Sequence, residues 1–199
     1  MVTYTKKELD KIIDDHKLWL QSGSEKGKRA NLRSADLRSA DLSSADLSSA
    51  DLRSADLRSA DLRYADLRSA DLRSANLRYA DLRSANLRSA DLSSADLSSA
   101  DLRYADLSSA DLRSADLDFS AFPLWCGGLD VHIDDKQATQ LLYHLIRNVK
   151  YSKNTSAKLK RLCKIKSLVK QANQFHRVKE CGEITDETEG ADNEQREAE

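Results

Sequence analysis

ADLRSADLRSANLRYADLRSANLRS, residues 65–89, is five consecutive copies of one five-residue unit. The unit repeats eighteen times without a gap between Ala30 and Phe119, and its third position is always Leu. A period of five excludes an α-helix, because five residues advance about 500° and successive Leu side chains would point to every face. It also excludes a long flat strand, in which every second residue points inward. The chain must therefore bend once in each unit.

The Ala and Leu of each unit are two residues apart, so both can point inward from a short extended segment. Four bends close a coil of twenty residues, and the eighteen units predict about four and a half coils, or roughly 22 Å of rod at roughly 4.8 Å per coil. Each Leu removed from water contributes roughly 1.5–3 kcal/mol before entropy is counted. The residues chosen to represent this predicted core are Leu32, Leu52, Leu72, Leu92, Leu112, Ala30 and Ala70.

The fifth position of the unit forms the corner. It is Ser except at Tyr64, Tyr79, Tyr104 and Phe119, and it is never Gly. A type II turn places its second central residue at positive φ, which favours Gly or Asn. The sequence therefore predicts mainly type I or irregular corners.

The unit Ala-Asp/Asn-Leu-x-x, as in ADLRS at residues 35–39, resembles the signature of the pentapeptide repeat family and covers 90 of the 199 residues. The resemblance implies an all-β solenoid, a right-handed quadrilateral β-helix. The approach to the first unit at residues 16–20 resembles the entry of phage-associated members of this family. The exit at residues 123–127 and 140–145 does so too, which indicates a bacterial protein of phage or prophage type.

An open solenoid leaves unpaired backbone groups and bare Leu side chains at both ends, so the flanking segments are expected to cover them. Residues 1–29 are predicted to be a capping helix and linker, with Thr5 and Glu8 at capping-box spacing and Gly23 as its stop. Residues 120–179 are predicted to be an apolar plug followed by helices, the first opened by Asp134 and Gln137. A second helix is expected to start near residues 154–156. The predicted capping residues are Leu9, Ile12, Ile13, Trp19, Phe122, Leu124, Trp125, Leu141 and Leu145.

The second position is an outward Asp in fifteen of the eighteen units, and the fourth position is Arg in twelve. Stacked coils align these residues in columns, so the negative charge of the Asp column and the positive charge of the Arg column should largely cancel. Members of the family that act on DNA gyrase are thought to imitate duplex DNA, which requires a strongly negative rod. Residues 30–119 carry a net charge of only −4, and residues 90–119 carry −5 of their own. The candidate acidic partner surface is therefore at this end, with Asp91, Asp96, Asp101, Asp106 and Asp111.

Residues 136–179 contain twelve basic residues and no acid, a pattern that can bind phosphates or an acidic partner. The candidate basic surface comprises Lys158, Lys160, Arg161 and Lys164. Residues 180–199 carry a net charge of −8 with few apolar residues, which is typical of a disordered tail. Such a tail can compete with phosphates for the basic surface.

The sequence contains no catalytic, metal or cofactor motif that outweighs a structural interpretation of the same residues. It also has no apolar stretch of membrane-spanning length, so we expect a cytoplasmic protein without a membrane segment. The preferred interpretation is a non-enzymatic interaction scaffold with a protein partner, either monomeric or dimeric through the C-terminal helices. Two alternatives remain at this stage: a DNA mimic that regulates a type II topoisomerase, and a weak nucleic-acid binder acting through the basic helices.

Overall fold

The computed structural model describes residues 1–121, 131–151, 156, 160–161 and 163–174. The chain divides into two compact units, Met1–Gln137 and Ala138–Glu199. The first contains β1 (Val2–Thr3), α1 (Lys6–Gln21), β2 (Ala35–Asp36) and the repeats. Helix α2 (Asp135–Tyr151) begins in the first unit and continues into the second, where α3 (Lys166–Ala172) follows. Among the described residues, no helix is long and apolar enough to cross a membrane.

The repeats stack with a period of twenty residues. Parallel bridges join the second position of one unit to the second position four units later, from Asn31 with Asp51 to Asp101 with Ala121. A turn follows each bridge, so four short sides make one coil. Each side of a coil contributes only one bridging residue, which is too short to form a strand. Among the described residues, β1 and β2 are therefore the one pair of strands.

All five backbone N–H groups of a unit find an acceptor, as residues 70–74 show. The first closes the preceding turn by donating to Leu67 O at 3.0 Å, and the second donates to Ala50 O in the preceding coil at 3.0 Å. The third and fifth donate to Asp91 O and Ser93 O in the following coil at 2.7 and 3.0 Å. The fourth, on Arg73, donates to the side-chain Oδ1 of Asp71 at 3.3 Å. The side chain of the second position is thus part of the backbone hydrogen-bond network.

The corners differ from the type I or irregular turns predicted from the sequence. All eighteen fifth-position residues, from Ser34 to Phe119, have φ between 55° and 64°, as the second central residue of a type II turn requires. The reason is the orientation of the peptide group between positions four and five. Its carbonyl accepts from the preceding coil and its N–H donates to the following coil, so the group must lie along the rod axis. These axial bonds offset the roughly 1–2 kcal/mol that a left-handed backbone costs a residue other than Gly.

Leu and Ala side chains fill the interior. The third-position Leu residues are 0–5% exposed, and all first-position Ala residues except Ala40 and Ala45, which lie in the first coil, are at most 1% exposed. Leu32, Leu52, Leu72, Leu92 and Leu112 are each 0% exposed, and Ala30 and Ala70 are each 1% exposed. Small Ala beside Leu allows the coils to stack closely, as the dense packing of a folded core requires.

The N-terminal segment pairs with the first coil through a strand that the sequence did not reveal. Strand β1 runs parallel to β2, with Val2 opposite Ala35 and Thr3 opposite Asp36. Helix α1 follows and begins with the predicted capping box, in which the Thr5 hydroxyl accepts the Glu8 N–H and the Glu8 carboxylate accepts the Thr5 N–H. Its end is followed by two residues of positive φ, Gly23 and Ser24.

The chain returns to the solenoid at residues 131–134, after the segment that lies outside the described residues. His132 bridges Asp111 and accepts the N–H of Leu112 at 2.7 Å. The Asp134 carboxylate accepts the Ser114 N–H at 2.8 Å and also caps α2, where it accepts from Gln137 N–H at 3.3 Å while the Gln137 side chain accepts from Asp134 N–H at 3.1 Å. The predicted capping pair is therefore present, and Asp134 additionally pairs with the last coil.

In the second unit one predicted capping residue, Leu145, needs correction. The buried side of α2 carries Tyr143 and Ile146, at 0% and 6% exposure, whereas Leu145 is 63% exposed. The predicted second helix is interrupted, because residues 163–164 form a turn and Ile165 is extended before α3 begins. A turn at this place brings Cys163 and Ala172 into one cluster with Tyr143 and Ile146.

Substitutions at neighbouring positions of one unit distinguish inward from outward residues. Leu72→Asp puts an unpaired charge between stacked coils and is expected to abolish cooperative unfolding. Arg73→Ser, which copies the residue at position 93, is expected to change the free energy of unfolding by under about 1 kcal/mol. Thermal unfolding followed by circular dichroism measures both. Equal melting temperatures for the two variants would contradict the inward orientation of Leu72.

The role of the second position is tested by paired substitutions of Asp71. Asp71→Ala removes the acceptor of the Arg73 N–H and should destabilise the protein by about 1 kcal/mol. Asp71→Asn keeps an Oδ1 acceptor, as Asn76 does for Arg78 at 3.2 Å, and should retain much of the stability. Chemical denaturation of the two variants gives the comparison. An Asn variant as unstable as the Ala variant would show that charge matters at this position and the backbone contact does not.

Candidate interaction surfaces

The outward charges of the solenoid are paired within single units. In nine units an Arg at the fourth position reaches back to the Asp two residues earlier and contacts its carboxylate through the guanidinium. Arg73 is representative, with Nε at 2.8 Å from Asp71 Oδ1 and Nη2 at 2.6 Å from Oδ2. Such two-point contacts are the strong form of an Arg–carboxylate pair.

A second contact connects these pairs along the rod. Arg53 Nε lies 3.5 Å from Asp71 Oδ2 in the following coil, and Arg73 Nε lies 3.5 Å from Asp91 Oδ2. Each such column therefore alternates positive and negative groups. The Arg38 hydrogen bond holds the pKa of Asp36 at about 2, and Arg73 likewise lowers the pKa of Asp71. These carboxylates remain ionised but their field is cancelled a few ångströms away.

The five acids of the predicted acidic surface do not lie together. Asp91 stacks on Asp111, but Asp96, Asp101 and Asp106 bridge to other columns, because consecutive units occupy consecutive sides. Arg113 pairs with Asp111 and Arg103 with Asp101. The Asp91 carboxylate has Arg73 at 3.5 Å and the Asp96 carboxylate has Arg78 at 3.8 Å.

Asp106 differs from these four acids. It accepts from the Ser108 hydroxyl at 2.5 Å, and within the described residues it forms no ion pair. The acidic end therefore consists of separate acids around the rod, most of them compensated. A continuous negative stripe is not formed by these five residues.

Three of the predicted capping residues of α1 contact the solenoid core. Leu9 is 9% exposed and belongs to the same cluster as the repeat Leu side chains, with Ile12 and Ile13 packed against it. Trp19 is half-buried and stacks on the His16 ring at 5.6 Å between centroids.

His16 is a further contact between α1 and the solenoid. Its ring is 0% exposed, its Nδ1 accepts the Ala30 N–H at 3.0 Å, and its Nε2 lies 3.1 Å from Ser48 O. Nε2 must then carry the proton and donate to Ser48, so the ring is a neutral tautomer. Burial lowers the pKa of His16, an effect that nearby Arg29 reinforces, while the Ser48 hydrogen bond and Asp46 oppose it.

The remaining predicted residues belong to the C-terminal part. Phe122, Leu124, Trp125 and Lys158 lie outside the described residues. Leu141 is half-buried and Leu145 is exposed. Of the candidate basic surface, Lys160 is half-buried, whereas Arg161 and Lys164 are exposed.

Comparison with known proteins places these observations in a family. The family model for pentapeptide repeats matches in eight copies at residues 28–63, 50–88 and 90–122. No curated protein matches the chain. A pentapeptide repeat protein of Nostoc is 31% identical, with 67% of this chain and 98% of that protein covered and a TM-score of 0.49.

Two further solved structures are similar. A pentapeptide repeat protein of the Arabidopsis thaliana thylakoid lumen is 27% identical over 67% of this chain and 91% of its own, with a TM-score of 0.51. The fluoroquinolone resistance protein QnrB1 is 29% identical over 62% of this chain and 72% of its own, with a TM-score of 0.33. The repeats, their stacking and the family match together lead to one conclusion: the chain belongs to the pentapeptide repeat family, whose fold is the right-handed quadrilateral β-helix.

Proposed function

We propose that this chain is a non-enzymatic scaffold that binds another protein through the sides of its solenoid. The observation that carries the proposal is the pairing of Asp and Arg within single units, which leaves sides that are polar, nearly neutral and rigid. A nearly neutral, pre-ordered surface loses little conformational entropy on binding and supports specific contacts with a protein.

Regulation of a topoisomerase by DNA mimicry is the principal alternative. It is supported by the acids that have no Arg in their own unit, among them Asp106 and Asp116, whose fourth positions are Ser108 and Asp118. The paired columns weigh against it, because duplex DNA presents an unbroken row of negative charge. Arg side chains at 3.5–3.8 Å from carboxylates of neighbouring coils interrupt that row.

Nucleic-acid binding through the basic helices is a second alternative. Arg161, Lys164, Lys166 and Lys170 are exposed, and residues 136–179 contain no acid. The buried Tyr143 weighs against a single-strand binding platform, because a ring at 0% exposure cannot stack on a base. Any such binding would rely on phosphates alone and would weaken steeply with salt.

A supercoiling assay and a duplex-binding assay together separate the scaffold from both alternatives. With DNA gyrase and micromolar amounts of the full chain, we expect weak or no inhibition, because the paired Arg side chains interrupt the negative field. A labelled duplex in physiological salt is expected to remain unbound in parallel samples. Sub-micromolar inhibition would replace the scaffold proposal by DNA mimicry, and a bound duplex would replace it by nucleic-acid binding.

We further propose that residues 1–23 cap the first coil and that residues 131–137 cap the last described coil. The support at the N-terminal end is β1 on the edge of the coil, Leu9 in the core cluster and the two hydrogen bonds of His16. At the C-terminal end it is the pairing of His132 and Asp134 with the last described coil. At both ends this pairing occupies backbone N–H and C=O groups that would otherwise promote end-to-end association.

The N-terminal cap is expected to weaken in mild acid. Because the folded-state pKa of His16 lies below its ordinary value of 6.5, its contribution is complete above that value and is lost as pH falls below it. The melting temperature of the wild type should therefore decrease between about pH 7 and pH 5. His16→Gln keeps an amide donor for Ser48 but does not titrate, so it should be less stable at pH 7 and show a flatter pH dependence. The same slope in both proteins would show that His16 does not contribute to the pH dependence.

A further inference from the structure

Four aromatic residues occupy corners of the solenoid that are Ser in the other fourteen units. Tyr64, Tyr79, Tyr104 and Phe119 are 66%, 59%, 74% and 69% exposed. Tyr64 and Tyr104 are on one edge of the rod, two coils apart, with Ser84 between them. Tyr79 and Phe119 are two coils apart on the adjacent edge, with Ser99 between them. The other two edges carry only Ser at their corners.

The corner does not require an aromatic residue, because Ser occupies it in the other fourteen units, although the Tyr79 ring contacts the Arg78 guanidinium at 5.5 Å. A bulky side chain at positive φ is disfavoured, and all four have φ between 59° and 64°. The axial hydrogen bonds from the N–H groups of Tyr64 and Tyr79 measure 3.1 and 3.2 Å, whereas those of the Ser corners from Ser34 to Ser99 measure 2.7 to 3.0 Å. Large exposed rings of this kind are the residues that contribute most to protein interfaces.

The two aromatic edges flank a single side of the rod. We call it the aromatic-flanked side, and it consists of residues 40–44, 60–64, 80–84 and 100–104. An Asp column with Asp61, Asp81 and Asp101 and an Arg column with Arg63, Arg83 and Arg103 run along it. From one edge to the other, the order is Tyr79 and Phe119, the Asp column, the Arg column, then Tyr64 and Tyr104.

This order makes the side complementary to itself, and we propose that it binds the same side of a second copy of the chain, with the two solenoids parallel. A two-fold axis parallel to the rods places the Asp column of one copy opposite the Arg column of the other. An antiparallel arrangement would place Asp opposite Asp and Arg opposite Arg. Only the parallel arrangement is therefore favoured by charge.

The aromatic side chains fit the same arrangement. The parallel axis brings the Tyr64 and Tyr104 edge of one copy against the Tyr79 and Phe119 edge of the other. Fifteen residues separate Tyr64 from Tyr79 along the chain, which is three quarters of a coil, or about 3.6 Å of rise at roughly 4.8 Å per coil. Rings from the two copies would alternate along each edge, so that Tyr64, Tyr79 and Tyr104 each lie close to the height of a Ser on the opposite copy. Aromatic pairs in such offset contact stabilise an interface beyond the area they bury.

The proposed contact between the two copies is small, so we expect a weak affinity. Four stacked sides span about 19 Å along the axis, so the buried area is below the roughly 800 Å² per partner of a standard interface. We therefore expect dissociation constants on the order of 100 µM, as for weak and transient contacts. This inference is independent of the scaffold proposal, because it concerns the chain with itself.

Sedimentation equilibrium of the full chain, from about 10 µM to about 1 mM, tests the proposal. The wild type should form a dimer within this range. Tyr64→Ser with Tyr104→Ser should raise the dissociation constant at least about tenfold while leaving the melting temperature unchanged or higher, since Ser occupies the other corners. A wild type that stays monomeric to about 1 mM, or a double variant that dimerises like the wild type, would overturn the proposal.

Arg83 and Arg73 give a matched pair for orientation. Both contact their own Asp at 2.6 Å, but Arg73 lies on the opposite side of the rod. In the parallel dimer Arg83→Glu faces an Asp column, so the dissociation constant should rise several-fold, whereas Arg73→Glu should leave it unchanged. In an antiparallel dimer Arg83→Glu would face an Arg column and tighten association. Tighter binding by Arg83→Glu, or equal weakening by both variants, would contradict the parallel contact.

Discussion

The solenoid depends on the axial peptide group at each corner. The peptide between the fourth and fifth positions bonds to the coil before it through its carbonyl and to the coil after it through its N–H. This orientation requires positive φ at the fifth residue, and all eighteen residues there accept it although none is Gly. Because the axial N–H bond repeats at the fourteen corners from Ser34 to Ser99, the cost of the left-handed backbone is offset locally in each of these units. The rod is therefore rigid without a continuous strand on any side.

The same demand for backbone partners explains the Asp column. Once four N–H groups of a unit bond to backbone carbonyls, the fourth-position N–H needs a side-chain acceptor, and Asp or Asn two residues earlier supplies it. The carboxylate then has lone pairs left for Arg73 or for a hydroxyl such as that of Ser93. The acidity of the rod is thus in large part a consequence of folding. An acidic repeat is for this reason weak evidence of an acidic binding surface.

The interior of this fold can be predicted from the sequence more readily than its ends or its surfaces. A period of five with invariant Leu is enough to predict a coil of bent segments, because no other backbone keeps Leu inward at that spacing. The corner turns were predicted wrongly, because residue preference for Gly was weighed and the orientation of the peptide group was not. Strand β1 was missed because two residues carry no periodicity, and its pairing with β2 is set by the tertiary structure.

The surfaces are harder still to predict, because outward residues of consecutive units lie on different sides of the rod. Asp91 and Asp96 are five residues apart yet lie on different sides, whereas Asp91 and Asp111 are stacked. A twenty-residue period must be applied before any outward residue can be assigned to a surface. Under that period, the four aromatic corners fall on two adjacent edges, which their order along the chain conceals. In a repeat whose first three positions are fixed by the fold, outward corner residues are free to carry recognition, and Tyr64 and Tyr104 place bulky side chains there at positive φ.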